Sequence, residues 1–357
     1  MTTPAGHIKK RLFRNKRLFR NKGALFGLTV ILLSVLIAIF AYLIAPDGSP
    51  NANRIIVEIG GRKPGYRQLF LPVKKERQAP PVNFFHRLLF GREDQYDYIP
   101  INSYQVSGDS VIVQKFIDEG VEERQAYPRA AATTTTFWLG TDKYGRDILS
   151  RLLIGVRVSL AVGLVTVLLS LTIGVLLGAL AGYFGGRVDE IILWLINVIW
   201  SIPTLLLVFA IMLLLGKGFW EVFIAIGLTL WVNVARIVRG QVLAIREREF
   251  VEAAKALGYS HSRILFRHIL PNIMGPVWVV AASNFASAIV IEAGLSFLGV
   301  GVQPPQPSWG LMIKENYNFI ITHNPMLALA PGFAIMLLVL AFNLLGNALR
   351  DILDVRG

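Results

Sequence analysis

A single charged stretch, residues 246–271 (REREFVEAAKALGYSHSRILFRHILP), interrupts a succession of long apolar runs. It carries Arg246, Arg248, Lys255, Arg263 and Arg267 beside Glu247, Glu249 and Glu252. Each Arg or Lys at the centre of a membrane helix costs roughly 2.5–3.5 kcal/mol. The stretch therefore lies outside the bilayer, and the runs beside it are spans. Its spacing reads as two short helices. Phe250, Val251, Ala254 and Leu257 recur at helical intervals, and Gly258 provides a left-handed C-terminal cap. Ser260 is placed to cap a second helix, on which Ile264, Leu265, His268 and Ile269 share a face. Pro271, which lacks an amide donor, is expected to end it.

The rest of the composition fits a membrane protein. Hydrophobic residues make up 54% of the chain and charged residues 17%, with no cysteine to form a disulfide. Part of the net charge of +13 sits at the start. Residues 1–22 hold Lys9, Lys10, Arg11, Arg14, Lys16, Arg17, Arg20 and Lys22 and no acid. Beside an apolar run, such a tail implies positive-inside topology and contact with anionic lipid, not nucleic acid. It contains RLFRNK twice, either an interfacial element or a local duplication.

The first span is 24–45, longer than a secretory core and read as an uncleaved signal anchor. Residues 46–150 are polar, with acids and bases nearly balanced; a loop this long is exempt from the positive-inside rule and is expected outside. Within it, 99–106 and 110–116 across Gly108-Asp109 read as a β-hairpin. Phe84, Phe85, Leu88 and Leu89 read as a short amphipathic helix, and 133–136 as a linker. The segment is either a folded α+β insert or an irregular lid. Next comes WLGTDKYGRDILSRLLIGVRVSL (138–160). Thr141 or Asp142 is placed to cap a helix starting near Lys143. Arg146, Asp147, Ser150 and Arg151 fall on one face and Ile148, Leu149, Leu152 and Leu153 on the other, the pattern of an outer interfacial helix.

Further spans are expected at 158–183, 191–215, 220–238, 277–298 and 327–349. The second contains Gly174 and Gly178, a GxxxG spacing that permits close helix approach. Pro203 should kink the third. Gly216-Lys217-Gly218 is a short turn without the spacing of a phosphate-binding loop. Glu292, near the outer end of the fifth span, reads as a structural group before an ion relay. Residues 299–325, with Pro304, Pro305, Pro307 and then Ser308-Trp309-Gly310, read as a partly re-entrant gate segment. The expectation is an all-α polytopic membrane protein of six transmembrane helices. Its divisions are a basic tail (1–22), a first helix (23–45), an extracytoplasmic α+β or irregular insert (46–137) and a core (138–357) that includes the 246–271 loop.

Glu252-Ala253-Ala254, Gly258 and then Leu270-Pro271 resemble the EAA loop of ABC importer permease subunits, with His268 in the RHILPN form common in peptide-type permeases. Gly140, Thr141, Asp142, Gly145, Arg146, Asp147 and Arg151 match the LGTD..GRD..SR wording of oligopeptide and dipeptide permeases. EAGLSFLG around Glu292 is also family wording, while the terminal LRD.LD carries Val355 where proline is usual. The resemblance is loose over 20–50, close over 138–356 and absent over 51–137. It implies a permease subunit in the inner membrane, without bound cofactor and with no catalytic role of its own. The implied partners are a second, related permease subunit, two ATP-binding subunits and an extracytoplasmic solute-binding protein. Peptides are the implied solute, and Glu252, Ala253, Ala254, Gly258, His268, Leu270 and Pro271 the implied coupling residues.

An ion-coupled secondary transporter is the alternative, but it needs carboxylates in mid-membrane, and the spans hold almost none apart from Glu292. A membrane enzyme lacks its parts: there is no HExxH, no GxSxG, and the five histidines are scattered. Both termini are expected in the cytoplasm. The natural absence of cysteine makes this directly testable. In intact cells, a membrane-impermeant thiol reagent should label Ser107→Cys and should reach Ser262→Cys only after permeabilisation. The reverse pattern overturns the topology.

Overall fold

In hydrocarbon a backbone amide finds no water, so an apolar run longer than about 20 residues satisfies its hydrogen bonds internally as a helix. A computed structural model describes residues 21–118, 121–128, 130–321 and 324–353. The basic tail with its RLFRNK repeat, and Val355, lie almost wholly outside them. Among the described residues, five helices are long and apolar enough to cross a membrane. These are α1 (Lys22–Ile44), α3 (Ile148–Phe184), α6 (Phe219–Arg246), α8 (His261–Leu298) and α10 (Met326–Leu353). A sixth crossing requires counting a bent pair as one span: α4 (Gly186–Trp200) and α5 (Thr204–Leu215) meet at 93°. The kink expected at Pro203 is thus a full break, with Ser201 and Ile202 outside either helix and Pro203 leading into α5. The remaining helices are α2 (Phe84–Phe90), α7 (Glu249–Ala256) and α9 (Trp309–Asn316).

The described residues form two compact units, one built from 21–34, 159–303 and 335–353, the other from the described parts of 35–158 and 304–334. The first is helical. Small residues on α3 let α6 approach closely: a Cβ at Gly174 would lie 2.7 Å from the Trp231 carbonyl oxygen, and one at Gly178 would lie 2.4 Å from that of Ala235. Asn284 of α8 donates to the Ser170 hydroxyl of α3 and to the Leu230 carbonyl of α6, both at 3.3 Å. Such buried interhelical bonds average about 0.6 kcal/mol in membranes, so packing carries most of the helix association. Phe285 and Phe342 stack at 3.9 Å between ring centroids, with Gly163 beneath Phe285.

The second unit contains an antiparallel five-stranded sheet in the order β4-β3-β2-β1-β5, from β1 (Tyr66–Lys74), β2 (Tyr96–Ser107), β3 (Ser110–Asp118), β4 (Val121–Pro128) and β5 (Thr133–Phe137). The expected hairpin is present: Ser107 pairs with Ser110 and Gly108 takes φ 60°. Of the two readings of 46–137, the structure has the folded α+β one. One expectation is corrected: 133–136 is not a linker but part of strand β5, in register with β1 from Tyr66↔Phe137 to Phe70↔Thr133. Threonine is β-branched, and a Thr run paired on a free sheet edge is favoured as strand. One sheet face buries Phe70 and Phe137 with Ile56 and Ile59; the other buries Leu71, Ile101, Val111 and Val113.

The α3–α6 contact makes a direct prediction. Gly178→Leu should lower the thermal stability of the detergent-purified protein, since overpacking costs typically 1–3 kcal/mol. Gly240→Ala, where a Cβ meets open space, should leave the melting temperature unchanged or raise it. Equal melting of both variants would show that α3 and α6 do not meet at Gly178.

Candidate functional site

The residues expected to couple, Glu252 to Pro271, all lie in the helical unit. Helix α7 buries Val251 and Ala254 in a cluster with Val234, Val238 and Val242 of α6 and Ile264, Leu265 and Ile269 of α8. Its other face is at the surface and carries Phe250, Glu252, Ala253 and Leu257, the last 71% exposed. Glu249 and Glu252 sit in the first turn, where carboxylates favour the positive end of the helix dipole. The C-terminus closes as a Schellman motif: Tyr259 donates to the Ala254 carbonyl at 3.2 Å and Gly258 to that of Lys255 at 2.9 Å. Gly258 takes φ 73° with open space around it, so backbone conformation alone demands glycine. Ser260 then caps the next helix, its hydroxyl accepting from the Arg263 amide at 3.4 Å.

Pro271 does not end that helix, contrary to expectation. The chain passes from His261–Arg263 through a π-helical turn, Ile264–Ile269, directly into the long span that begins at Leu270. The wider turn is the physical reason. The Leu270 amide reaches back to the Leu265 carbonyl, and Pro271 occupies a first-turn position where proline is tolerated. The Asn272 side-chain amide donates to the His268 carbonyl at 2.6 Å. The His268 ring stacks on Tyr259, whose other neighbour is the Arg263 guanidinium, 4.1 Å from the ring centroid. The element is fastened to neighbouring helix ends as well. Tyr183 Oη and His261 Nδ1 are 2.8 Å apart, and Arg246 donates to the Gly182 and Tyr183 carbonyls that close α3, at 3.2 and 3.3 Å. Arg239 and Asp189 form a bidentate pair at 2.5 and 2.6 Å.

The second group of expected residues builds a different object. No helix begins near Lys143. Residues 138–147 run as turns with a Thr141↔Asp147 bridge, and α3 starts at Ile148. Asp147, not Thr141 or Asp142, takes the capping position, accepting from the Ser150 amide at 2.9 Å. Asp142, Arg146, Asp147, Ser150 and Arg151 are buried, so they do not form the polar face of an interfacial helix. The cause is tertiary. Gly140 and Gly145, both at positive φ, bring the loop against residues 56–64, where a Cβ at Gly145 would lie 1.7 Å from the Ile56 carbonyl oxygen. Thr141 Oγ1 donates to the Ile59 carbonyl at 2.5 Å and accepts from the Arg62 amide at 2.9 Å.

Once enclosed, the charges pair with one another. Arg146 Nε donates to Asp142 at 2.6 Å, and its Nη2 donates to Glu315 of α9 at 2.8 Å. Arg151 reaches the same Glu315 oxygen at 3.4 Å, while its Nε and Nη1 have no hydrogen-bond partner among the described residues. Burial pushes the Asp147 carboxyl above the ordinary carboxylate range, opposed by hydrogen bonds from Ser150. The Ser150 hydroxyl also accepts from the Asp47 amide at 2.8 Å. Sequence reasoning missed Glu315, Asp47 and Asn53: each lies far from this stretch in sequence, and only the fold brings them to Arg146, Ser150 and Arg151.

Of the expected gate residues, Ser308 caps α9 by accepting from the Leu311 amide at 3.1 Å. Trp309 is buried, its indole N–H donating to the Leu152 carbonyl at 3.0 Å, and Gly155 leaves room for its ring. Gly310 follows within the first turn. Glu292 belongs to the other unit. It is buried and accepts from Ser296 Oγ at 2.6 Å, and that same oxygen accepts from the Val302 amide at 3.0 Å. This chain of bonds fixes the turn that follows α8.

Two buried arginines share one carboxylate, so removing it leaves both undercompensated. Glu315→Ala should destabilise the protein by about 3–5 kcal/mol, the cost of breaking a buried pair from one side. Thermal unfolding in detergent measures it. A loss no greater than that of an exposed carboxylate such as Glu249→Ala would show that Glu315 does not hold the cluster.

Residues 174–356 match the family described as "Binding-protein-dependent transport system inner membrane component", and residues 9–56 match "N-terminal TM domain of oligopeptide transport permease C". The dipeptide transport system permease protein DppC of Alkalihalophilus pseudofirmus is 42% identical over 226 residues, covering 63% of this chain and 74% of that one. The oligopeptide transport system permease protein OppC of Bacillus subtilis is 42% identical over 217 residues, covering 61% and 71%. The probable peptide ABC transporter permease protein y4tQ of Sinorhizobium fredii is 44% identical over 251 residues, covering 70% and 82%. Among solved structures, the MetNI methionine ABC transporter in an inward-facing conformation aligns with a TM-score of 0.48 at 19% identity, over 56% of this chain and 95% of that one. The chain belongs to the family of inner-membrane permease components of binding-protein-dependent ABC transport systems.

Proposed function

We propose that this chain forms half of the translocation pathway of an ATP-driven importer of di- or oligopeptides. As a permease component it is not itself an enzyme. It pairs with a second, related permease, two ATP-binding subunits and an extracytoplasmic solute-binding protein, and both its termini and the 246–271 loop face the cytoplasm. The names of its relatives support the solute class, since they transport dipeptides, oligopeptides or glutathione.

One observation carries the coupling role. The surface of α7 and the turn after it expose Phe250 and Leu257 beside Glu252, with Phe266 also 60% exposed nearby in sequence. The buried side of the same element is held by the cluster around Val251, by the Schellman turn and by Arg246. Exposed apolar side chains on a rigidly fastened element form a docking surface. A carboxylate at its centre offers charge-assisted hydrogen bonds to an ATP-binding partner. Closure of the partners would then move α6 and α8 as rigid bodies. Glu292 is engaged with Ser296, which speaks for a structural group.

Position 258 separates this reading from a purely structural one. A side chain forced into the left-handed region costs roughly 1–2 kcal/mol, and nothing else restricts the site. Gly258→Val should insert and assemble normally, yet lose peptide uptake and the stimulation of ATPase activity by the binding protein. Gly258→Asn, which tolerates that conformation, should retain both. Glu252→Ala should resemble Gly258→Val. Normal labelled-peptide uptake by Gly258→Val at normal membrane levels would sink the coupling assignment.

A further inference from the structure

Helix α2, sequence FFHRLLF, buries none of its residues. Phe84 is 60% exposed, Phe85 74%, Leu89 50% and Phe90 60%. Four of the seven residues are thus large apolar side chains at least half exposed. A soluble insert would bury such a helix or replace its phenylalanines.

The helix is nevertheless held firmly, at a definite place. Arg157, in the third turn of α3, donates to the Leu89 carbonyl at 2.8 Å and to the Leu88 carbonyl at 3.3 Å, satisfying the end of α2 that lacks intrahelical partners. Gly91 follows at φ 81°, closed by its amide on the Arg87 carbonyl at 3.0 Å. A Cβ there would lie 2.8 Å from the Gly48 carbonyl oxygen and 3.0 Å from the Tyr42 ring. The Arg92 amide then donates to that Gly48 carbonyl at 3.0 Å. The same Arg157 guanidinium lies 5.0 Å from the Tyr42 ring centroid. Helix α2 is thus fastened to the last turn of α1 and to the start of α3, where two spans leave the bilayer.

At that level α1 itself exposes Leu36, Ile39, Phe40 and Ile44, the surface a spanning helix turns to lipid. The exposed side chains of α2 extend this apolar belt at its outer end. Arg87 and Arg92 accompany them at the surface and offer positive charge to lipid phosphates. Aromatic residues and basic groups side by side are the composition of a membrane-interface anchor. We propose that α2 lies in the bilayer interface and inserts Phe84, Phe85, Leu89 and Phe90 among the acyl chains, mooring the sheet to the membrane surface. The interfacial helix anticipated from residues 143–160 is then supplied by a segment outside the family's shared wording.

The proposal rests on the membrane placement of α1 and α3 and not on the solute or the coupling loop. Its test uses the full-length chain in nanodiscs of phosphatidylethanolamine and phosphatidylglycerol. Single spin labels would be placed at Phe85→Cys and Leu89→Cys, with Leu36→Cys as the lipid reference and Ser107→Cys as the water reference. Collision with oxygen and with a water-soluble nickel chelate reports depth. Both α2 labels should give a depth parameter of the same sign as Leu36→Cys, favouring oxygen, and opposite to Ser107→Cys. Nickel access equal to that at Ser107→Cys would place α2 in water and overturn the proposal. Exclusion of both reagents would show a protein surface covering α2 and overturn it equally. A Leu36→Cys label accessible to nickel would instead refute the membrane reading of α1.

Discussion

Hydrocarbon solvates neither a charge nor an unpaired amide, and the disposition of nearly every polar group in this protein follows from that. The apolar runs become helices because no other structure closes their backbone hydrogen bonds. Two buried polar residues within the helices find partners: Asn284 reaches Ser170 and Leu230, and Glu292 is tied to Ser296. Because lipid gives no hydrophobic drive for helix association, shape complementarity does the joining, at Gly174 and Gly178 against α6 and at Gly163 beneath Phe285.

The 246–271 stretch, for which a coupling role is proposed, is shaped by that constraint. A charged segment excluded from the bilayer must still be rigid if it is to transmit motion. Rigidity comes from burying one face of α7, from a Schellman turn that admits glycine at 258, and from Arg246 on the terminal carbonyls of α3. The π-helical turn at Ile264–Ile269 lets the element run without interruption into the span beyond. A break at Pro271 would have left a hinge there. The continuous helix joins the exposed surface of 246–271 to the body of α8.

In the other unit the same constraint produces an ion cluster. Arg146 precedes α3 and Arg151 lies in its first turn, and both are buried, so each meets a carboxylate inside the protein. Glu315 serves both from α9. Helix α2 is the reverse case. Its phenylalanines stay exposed because the medium expected around them is not water.

Much of this was legible from residue order alone. Spans, the excluded charged stretch, the Gly258 and Ser260 caps, the hairpin at Gly108-Asp109 and the GxxxG approach are local consequences of hydropathy, backbone conformation and side-chain size, so adjacent residues suffice to read them. Tertiary structure decided the rest. Residues 143–151 have the periodicity of an amphipathic helix, yet a loop pressed against residues 56–64 buries their polar face and delays the helix to Ile148. Pro271 reads as a terminator, yet a π-turn removes the need for its amide. The Thr133–Phe137 strand exists because β1 offers it an edge. Glu315 acquires meaning only beside two arginines more than 160 residues away in sequence. Hydropathy is a property of a segment, whereas the partner of a buried charge is a property of the fold, and no local pattern encodes it.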